Sequence, residues 1–154
     1  MRYSLDRPRL KSIIQDRISS VMAKIGPLVG RFLVTEVQRN FADSGRVPVG
    51  TFDGIGQPVP PGRWVPVGSE VIRRRGPNAK PLVDTGRMMA SISYRVEGNE
   101  ILIGTNVKAD NGYLYPLAHQ YGTPTIPARP FLTVTIQAEA DIREMILRQL
   151  TERR

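Results

Sequence analysis

The first part of the chain has the apolar spacing of a helix. Apolar side chains recur at three- and four-residue steps, at Leu10, Ile14, Ile18, Val21, Met22 and Ile25. Such steps bring side chains onto one face of an α-helix. Gly26-Pro27 interrupts the run, because proline lacks a backbone N–H and disfavours helical geometry in the residue before it. The pattern resumes from Leu28 to Phe41, so we expect two helices, or one sharply kinked helix, over about residues 8–42.

The next segment, residues 45–66, holds five glycines and five prolines. This density predicts a long loop without regular elements. A loop of that length inside a compact domain is usually functional, or becomes ordered on a partner. Trp64 is the only tryptophan in the chain and closes the loop. We expect its large apolar surface to hold the loop against the domain, with a role as a partner-binding anchor as the alternative.

A β-hairpin is predicted further along. Polar and apolar residues alternate over residues 92–97, Gly98-Asn99 supplies a tight turn, and residues 100–105 return as a second strand. Before this hairpin, Asp84 or Thr85 is expected to cap a short helix by accepting backbone N–H bonds.

The last third of the chain predicts three further elements. Residues 113–122 are expected to form one or two helical turns closed by Gly122, residues 123–127 an extended segment, and residues 132–136 a strand. The chain then ends in an amphipathic helix. Its apolar face carries Ile142, Met145, Ile146 and Leu150, and its other face carries Glu139, Arg143, Glu144 and Arg148.

Together these elements predict one α+β domain over residues 1–154. It comprises a long N-terminal helical segment, a small antiparallel β-sheet with a hairpin, a C-terminal amphipathic helix, and a long Gly/Pro-rich loop at about residues 45–66. The chain has no apolar run of the roughly 18 to 20 residues that span a bilayer, and its N-terminus lacks an apolar signal core. We therefore expect a soluble chain with no membrane partner.

The net charge of +8 is concentrated in two regions. Residues 1–24 carry six basic and two acidic side chains, and residues 46–87 carry seven and three. The second region contains the compact run Arg73-Arg74-Arg75. Such regions meet nucleic acid or an acidic protein surface, or form a solvated face. No zinc finger or other sequence-specific recognition motif accompanies them, so contact with DNA would be weak and non-specific.

Catalytic chemistry is not indicated. The chain has no cysteine and one histidine, His119, which excludes thiolate and multi-histidine metal sites. His119 is expected to be a packed, hydrogen-bonded structural residue, with a cryptic hydrolase as a weak alternative. Asp84-Thr85-Gly86 matches the aspartic-protease tripeptide, but here it introduces a short helix, which favours capping. We expect no enzyme, no metal and no cofactor.

Four segments, taken in order, carry a family resemblance. They are Trp64-Val65-Pro66, then Leu82-Val83-Asp84-Thr85-Gly86-Arg87 through Ser91-Ile92, then Ile103-Gly104-Thr105, and finally His119-Gln120-Tyr121-Gly122 to Pro127-Ala128-Arg129-Pro130-Phe131-Leu132. This series resembles the phage virion morphogenesis, or tail-completion, family, which is related to phage tail-component and head–tail joining proteins.

The resemblance implies a structural subunit of a tailed bacteriophage, assembled in the host cytoplasm and located in the tail or neck of the virion. It implies a homo-oligomeric ring, such as a tail terminator, in contact with other neck, connector or tail proteins, without catalysis or cofactor. The alternative is a basic, DNA-associated phage accessory protein. Candidate partner-binding residues are Trp64, Arg73, Arg74, Arg75 and Arg129. For Arg129, hydrogen bonds to local carbonyls are favoured over a neighbour's carboxylate.

Overall fold

A computed structural model describes the backbone of residues 7–53 and 55–151, with side chains from residue 11 onward in those ranges. The elements are α1 (Arg7–Ala42), β1 (Arg46–Val47), β2 (Thr51–Asp53), β3 (Pro58–Val59), β4 (Gly62–Arg63), α2 (Ser69–Arg75), α3 (Arg87–Ala90), β5 (Ser93–Glu97), β6 (Glu100–Gly104), α4 (Tyr115–Tyr121), β7 (Thr133–Thr135) and α5 (Ile136–Thr151). The mixed architecture confirms the predicted α+β class.

The N-terminal segment is one helix of 36 residues that continues through Pro27. The interpretation as two helices is therefore wrong. Proline removes one backbone hydrogen bond from a helix interior. That loss is offset by packing on both sides of Pro27, where Ile25 and Val29 are buried. The side chain of Leu10, from the predicted apolar face, lies outside the described residues.

Two glycines of α1 let the hairpin β5–β6 approach closely. A Cβ placed on Gly26 would lie 3.0 Å from a methyl group of Val96, and one placed on Gly30 would overlap the ring of Tyr94. Both side chains belong to β5. Because residues four apart share one helix face, the two glycines form a shallow groove under the strand. The hairpin itself is confirmed, with Ser93 opposite Gly104 and Glu97 opposite Glu100.

The core consists of two clusters along α1. One lies toward its C-terminal end and contains Val37, Phe41, Trp64, Met88, Ile92, Val107 and Phe131. The other lies nearer its middle, where Ile25, Val29 and Leu33 pack against α5. Three of the four predicted apolar positions of α5, Ile142, Met145 and Ile146, are in this second cluster, whereas Leu150 remains 46% exposed.

The predicted structureless loop of residues 45–66 is wrong in detail, because four short strands form within it. β2 pairs antiparallel with both β3 and β7, and β1 pairs with β4. Glycine and proline density did not prevent these strands, since each needs only two or three residues between turns. The strand predicted at residues 132–136 is observed as β7, and it pairs with β2. The segment is thus folded back onto its own domain.

Two other segments also differ from expectation. Residues 69–75, for which the sequence predicted no regular element, form the helix α2. Residues 123–127, predicted to be extended, form a turn in which the Thr123 N–H donates to the Ile126 carbonyl at 2.8 Å. The Thr123 hydroxyl accepts from the Ile126 N–H at 3.0 Å and stabilises that turn. A threonine hydroxyl can thereby close a turn in a segment that its prolines suggest is extended.

Candidate interaction surfaces

Trp64 is a core residue that fixes the end of the loop. Its side chain is only 4% exposed and packs edge-on against Phe41, with ring centroids 5.7 Å apart. Its indole N–H donates to the Pro130 carbonyl at 2.9 Å. The expectation that Trp64 holds the loop against the domain is confirmed. A role of Trp64 in binding a partner stays a prediction. Because the side chain is buried, such a role would consist of positioning the loop for the partner.

Arg129 reinforces the same junction from the other side. Its Nε donates to the Val65 carbonyl at 2.9 Å and its Nη2 to the Pro66 carbonyl at 3.3 Å. The local role favoured from the sequence is therefore confirmed. Burial lowers the pKa of Arg129 from its usual value. Trp64 and Arg129 together join the end of the loop to residues 129–130.

Gln120 joins α4 to the following segment and was missed by the sequence analysis as a structural residue. Its side-chain oxygen accepts the N–H groups of Phe131 and Leu132, both at 3.0 Å. It is 5% exposed, and its amide nitrogen donates to the Leu132 carbonyl at 3.3 Å. A buried amide with its oxygen and nitrogen both bonded holds a fixed geometry. The motif around His119-Gln120 and the Pro-rich segment after it are thus physically joined.

The run Arg73-Arg74-Arg75 forms the last turn of α2, and its members have different surroundings. Arg73 pairs with Glu70 at 2.6 Å on the exposed face of the same helix. Arg75 is the least exposed, at 20%, and pairs with Asp84 at 3.0 Å. Among the described residues, Arg74 has no acidic partner. The structure therefore separates the three arginines, which the sequence analysis had treated as one basic run.

A cavity of about 520 Å³ lies between α2, α3 and α4, and we call it the arginine cavity. Its basic side chains are Arg74, Arg75, Arg87 and Arg129, and its acidic side chain is Asp84. The lining therefore has a formal surplus of three positive charges. Part of the wall is apolar and is formed by Val67, Val71, Leu82 and Met88, with Tyr115. Arg87 was not singled out from the sequence, because only the fold brings it beside α2.

His119 also lines this cavity. Its ring lies edge-on to Tyr115, at 6.4 Å between centroids, and its buried Nδ1 has no hydrogen-bond partner among the described residues. The predicted packing is observed, but the predicted hydrogen bonding is wrong for this nitrogen. Burial, and secondarily the nearby positive charge of Arg129, lower the pKa of His119 below its usual value. Both effects favour the uncharged form of the imidazole.

Two exposed apolar surfaces lie at different places on the domain. The α4 surface consists of Tyr113, Leu114, Leu117 and Tyr121, each about half exposed. Leu117 and Tyr121 are four residues apart on α4 and share one helix face, and Leu114 lies at the N-cap of the helix. The leading-helix surface consists of Ile13, Ile14 and Ile18 of α1, which are 56%, 50% and 40% exposed. Exposed apolar patches of this kind commonly mark interaction sites.

One helix, over Lys11–Ala42, is long and apolar enough by length and composition to cross a membrane. This differs from the expectation based on uninterrupted apolar runs. The core helix of a folded domain passes the same test. Here Ile25, Val29, Leu33 and Val37 of that helix are buried against the rest of the chain.

Residues capable of metal binding do not cluster within the part of the chain that the structure describes: no group of three or more His, Asp or Glu side chains is close enough to hold an ion. The absence of catalysis and of a cofactor stays a prediction.

A relative links the chain to phages. The chain is similar to the Mu-like prophage FluMu G protein 2 of Haemophilus influenzae, with 45% identity over 73 residues. The match covers 43% of this chain and 49% of the relative, so the chain spans about half the length of that curated protein. The chain matches no protein-family model and no solved structure. The similarity supports a phage-related protein.

Proposed function

We propose that this protein is a structural subunit of a tailed bacteriophage, acting where the tail is completed and joined to the head. In this proposal it assembles into a ring and contacts neck, connector or tail proteins, without catalysis or a cofactor. The prophage relative supports the phage setting. The observation that carries the structural role is the presence of two separate exposed apolar surfaces on one small domain.

The position of the two surfaces favours ring assembly. The α4 surface lies near the C-terminal end of α1, because Gln120 of α4 holds Phe131, whose ring is 5.5 Å from that of Phe41. The leading-helix surface lies near the opposite end of α1. A head-to-tail ring needs two different surfaces on each subunit, one for each neighbour. Tyrosine and leucine side chains exposed on α4 supply the apolar area that such an interface buries.

The test is complementation of a phage that lacks this gene. The L117E/Y121E variant places two carboxylates in the α4 surface, and burying them at an interface would cost several kcal/mol. We expect this variant to yield few infectious particles, with free heads and tails visible by electron microscopy. The control is Val49→Glu, which introduces charge at a residue that is 84% exposed and outside both surfaces.

Two outcomes would contradict the proposal. One is that L117E/Y121E supports normal particle yields, as Val49→Glu is expected to do. The other is that mass spectrometry of purified wild-type particles finds no copy of the chain. Circular dichroism of both variants confirms folding, which surface substitutions at exposed positions leave nearly unchanged.

A further inference from the structure

We propose that the arginine cavity binds a carboxylate side chain presented by an acidic, partly apolar segment of a neighbouring protein. The inference rests on the proposed function in one respect: the neighbour is another protein of the virion. It adds a specific site, its ligand chemistry and the residues that recognise the ligand. Neither the basic run of the sequence nor the prophage relative identifies this site.

The first argument is charge that the chain itself does not neutralise. Asp84 is already paired with Arg75 at 3.0 Å. Arg74 and Arg87 line the same cavity and have no acidic partner among the described residues. A guanidinium presents a planar fork of N–H donors that matches a carboxylate in two parallel hydrogen bonds. The cavity therefore offers two arginines for an incoming anion.

The second argument is that part of the basic lining is already fixed in position. Arg129 is held by the Val65 and Pro66 carbonyls through Nε and Nη2. Arg75 is held by Asp84 and is largely covered. Because these two side chains are already bonded within the chain, they add positive charge at fixed positions and lose little conformational freedom when a ligand binds to Arg74 and Arg87.

The third argument selects a protein segment over a nucleic-acid backbone. A volume of about 520 Å³ suits a few side chains and is too small to admit a duplex. The wall also includes the apolar residues Val67, Val71, Leu82 and Met88. A phosphate backbone offers no apolar side chain to pack against them. A peptide that carries an acidic residue beside an apolar one satisfies both parts of this lining.

His119 provides a reporter inside the site. It lines the cavity, and it is the only histidine in the chain, so its imidazole resonances are unambiguous in a tag-free protein. Its pKa is lowered in the free protein by burial and by Arg129. A carboxylate in the cavity introduces a negative charge near the ring, and this raises the pKa of His119.

The experiment titrates the full chain with a capped acidic peptide, Ac-Leu-Glu-Leu-Glu-NH₂, while the His119 resonances are followed by NMR. The matched peptide Ac-Leu-Gln-Leu-Gln-NH₂ removes only the charge, and a short DNA duplex tests phosphate binding. We expect saturable shifts, and a raised His119 pKa, with the acidic peptide alone. The R74A/R87A variant should bind about tenfold more weakly or not at all, because both free guanidinium forks are lost.

The control variant is R143A/R148A, which removes the same charge from two exposed arginines that pair with Glu139 and Glu144 on α5. It should bind the acidic peptide as the parent does. Equal weakening in both variants would indicate diffuse charge and overturn the proposal. So would absence of any shift with the acidic peptide, or a response of His119 to DNA but not to peptide. Because the titration uses the purified chain, its failure is distinguishable from failure of the virion role, which particle analysis tests separately.

Discussion

At position 45, both the backbone conformation and the neighbouring side chain require glycine. Its φ is +71°, in the left-handed region, and a Cβ at this position would overlap the indole ring of Trp64. It follows the end of α1, where its N–H donates to the Asn40 carbonyl at 2.7 Å. Glycine therefore allows Trp64 to lie directly against the turn that follows the helix.

We predict that Gly45→Ala destabilises the domain by about 2 to 5 kcal/mol, combining left-handed strain of about 1 to 2 kcal/mol with overpacking of about 1 to 3 kcal/mol. Denaturant unfolding measures the change. The control is Gly56→Ala, at φ +79° with no atom within 4 Å of the added methyl group, which isolates the backbone strain. Equal losses in the two variants would show that the contact with Trp64 contributes nothing.

His119 is the residue from which we predict a pH dependence. Its folded-state pKa is lowered, mainly by burial and secondarily by Arg129, whereas the unfolded chain keeps a pKa of about 6.5. As pH falls through the unfolded value, the unfolded state binds a proton before the folded state does. The free energy of unfolding therefore falls with decreasing pH, until the folded pKa is passed.

The measurement compares urea unfolding of the parent and of His119→Gln between pH about 7.5 and about 5, above the range where most carboxylates titrate. The parent should lose stability across this window, and His119→Gln should lose less. Parallel pH profiles for the two proteins would contradict the assignment of the slope to His119.

At the residue scale, sequence reasoning succeeded where a side chain had one dominant physical property. The large apolar area of Trp64 indicated burial, and the fork of donors on Arg129 indicated local carbonyl bonds, as observed. Gln120 and Arg87 escaped notice because nothing local distinguishes a buried, fully bonded amide, or a cavity arginine, from an exposed one. Their surroundings come from segments distant in the sequence.

At the scale of elements, the contact between α1 and the hairpin depends on Gly26 and Gly30. We predict that Gly30→Ala destabilises the domain despite a gain in helix propensity of up to about 1 kcal/mol. The added methyl group overlaps the ring of Tyr94 in β5, and overpacking of this kind costs about 1 to 3 kcal/mol.

A double-mutant cycle with Tyr94→Ala tests the cause. Removing the ring frees the space, so Gly30→Ala should cost much less in a Tyr94→Ala background than in the parent. Additive losses in the cycle would mean that the two residues do not meet. Thermal unfolding of the four proteins supplies the comparison.

Elements with strong periodicity were predictable, and those created by pairing were not. The helix α5 and the hairpin follow from local spacing alone. Of the strands within residues 45–66, β2 pairs with β7, which lies about 80 residues further along the chain, as in the pairing of Thr51 with Thr135. The others pair within the segment, β1 with β4 and β3 with β2. A strand of two or three residues has no period to detect, and its partner becomes evident only in the fold.

At the scale of the whole molecule, α1 extends beyond the domain that it supports. Every described side chain from Lys11 to Ser20 is exposed, and burial begins only at Val21 and Met22. At about 1.5 Å of rise per residue, these ten residues extend by roughly 15 Å. Isolated helices this short are marginal in water, so packing of this segment on another protein would stabilise it.

We predict that deleting residues 1–18 leaves the domain folded but prevents assembly. None of the described side chains in the deleted part is buried, and the core clusters begin with Val21 and Met22. The thermal midpoint of unfolding should therefore move by only a few degrees, which is about the effect of 1 kcal/mol in a domain of this size. The proposed ring, in contrast, loses the leading-helix surface. The measurement pairs calorimetry of the purified chain with complementation of a phage that lacks the gene.

The I13S/I14S/I18S variant keeps the length of the helix and removes only its exposed apolar side chains, and it should fail in assembly as the deletion does. Normal particle yields with either variant would show that the leading helix is not an interface. Full complementation by the serine variant, together with failure of the deletion, would instead assign the role in assembly to helix length or to the basic side chains of this segment.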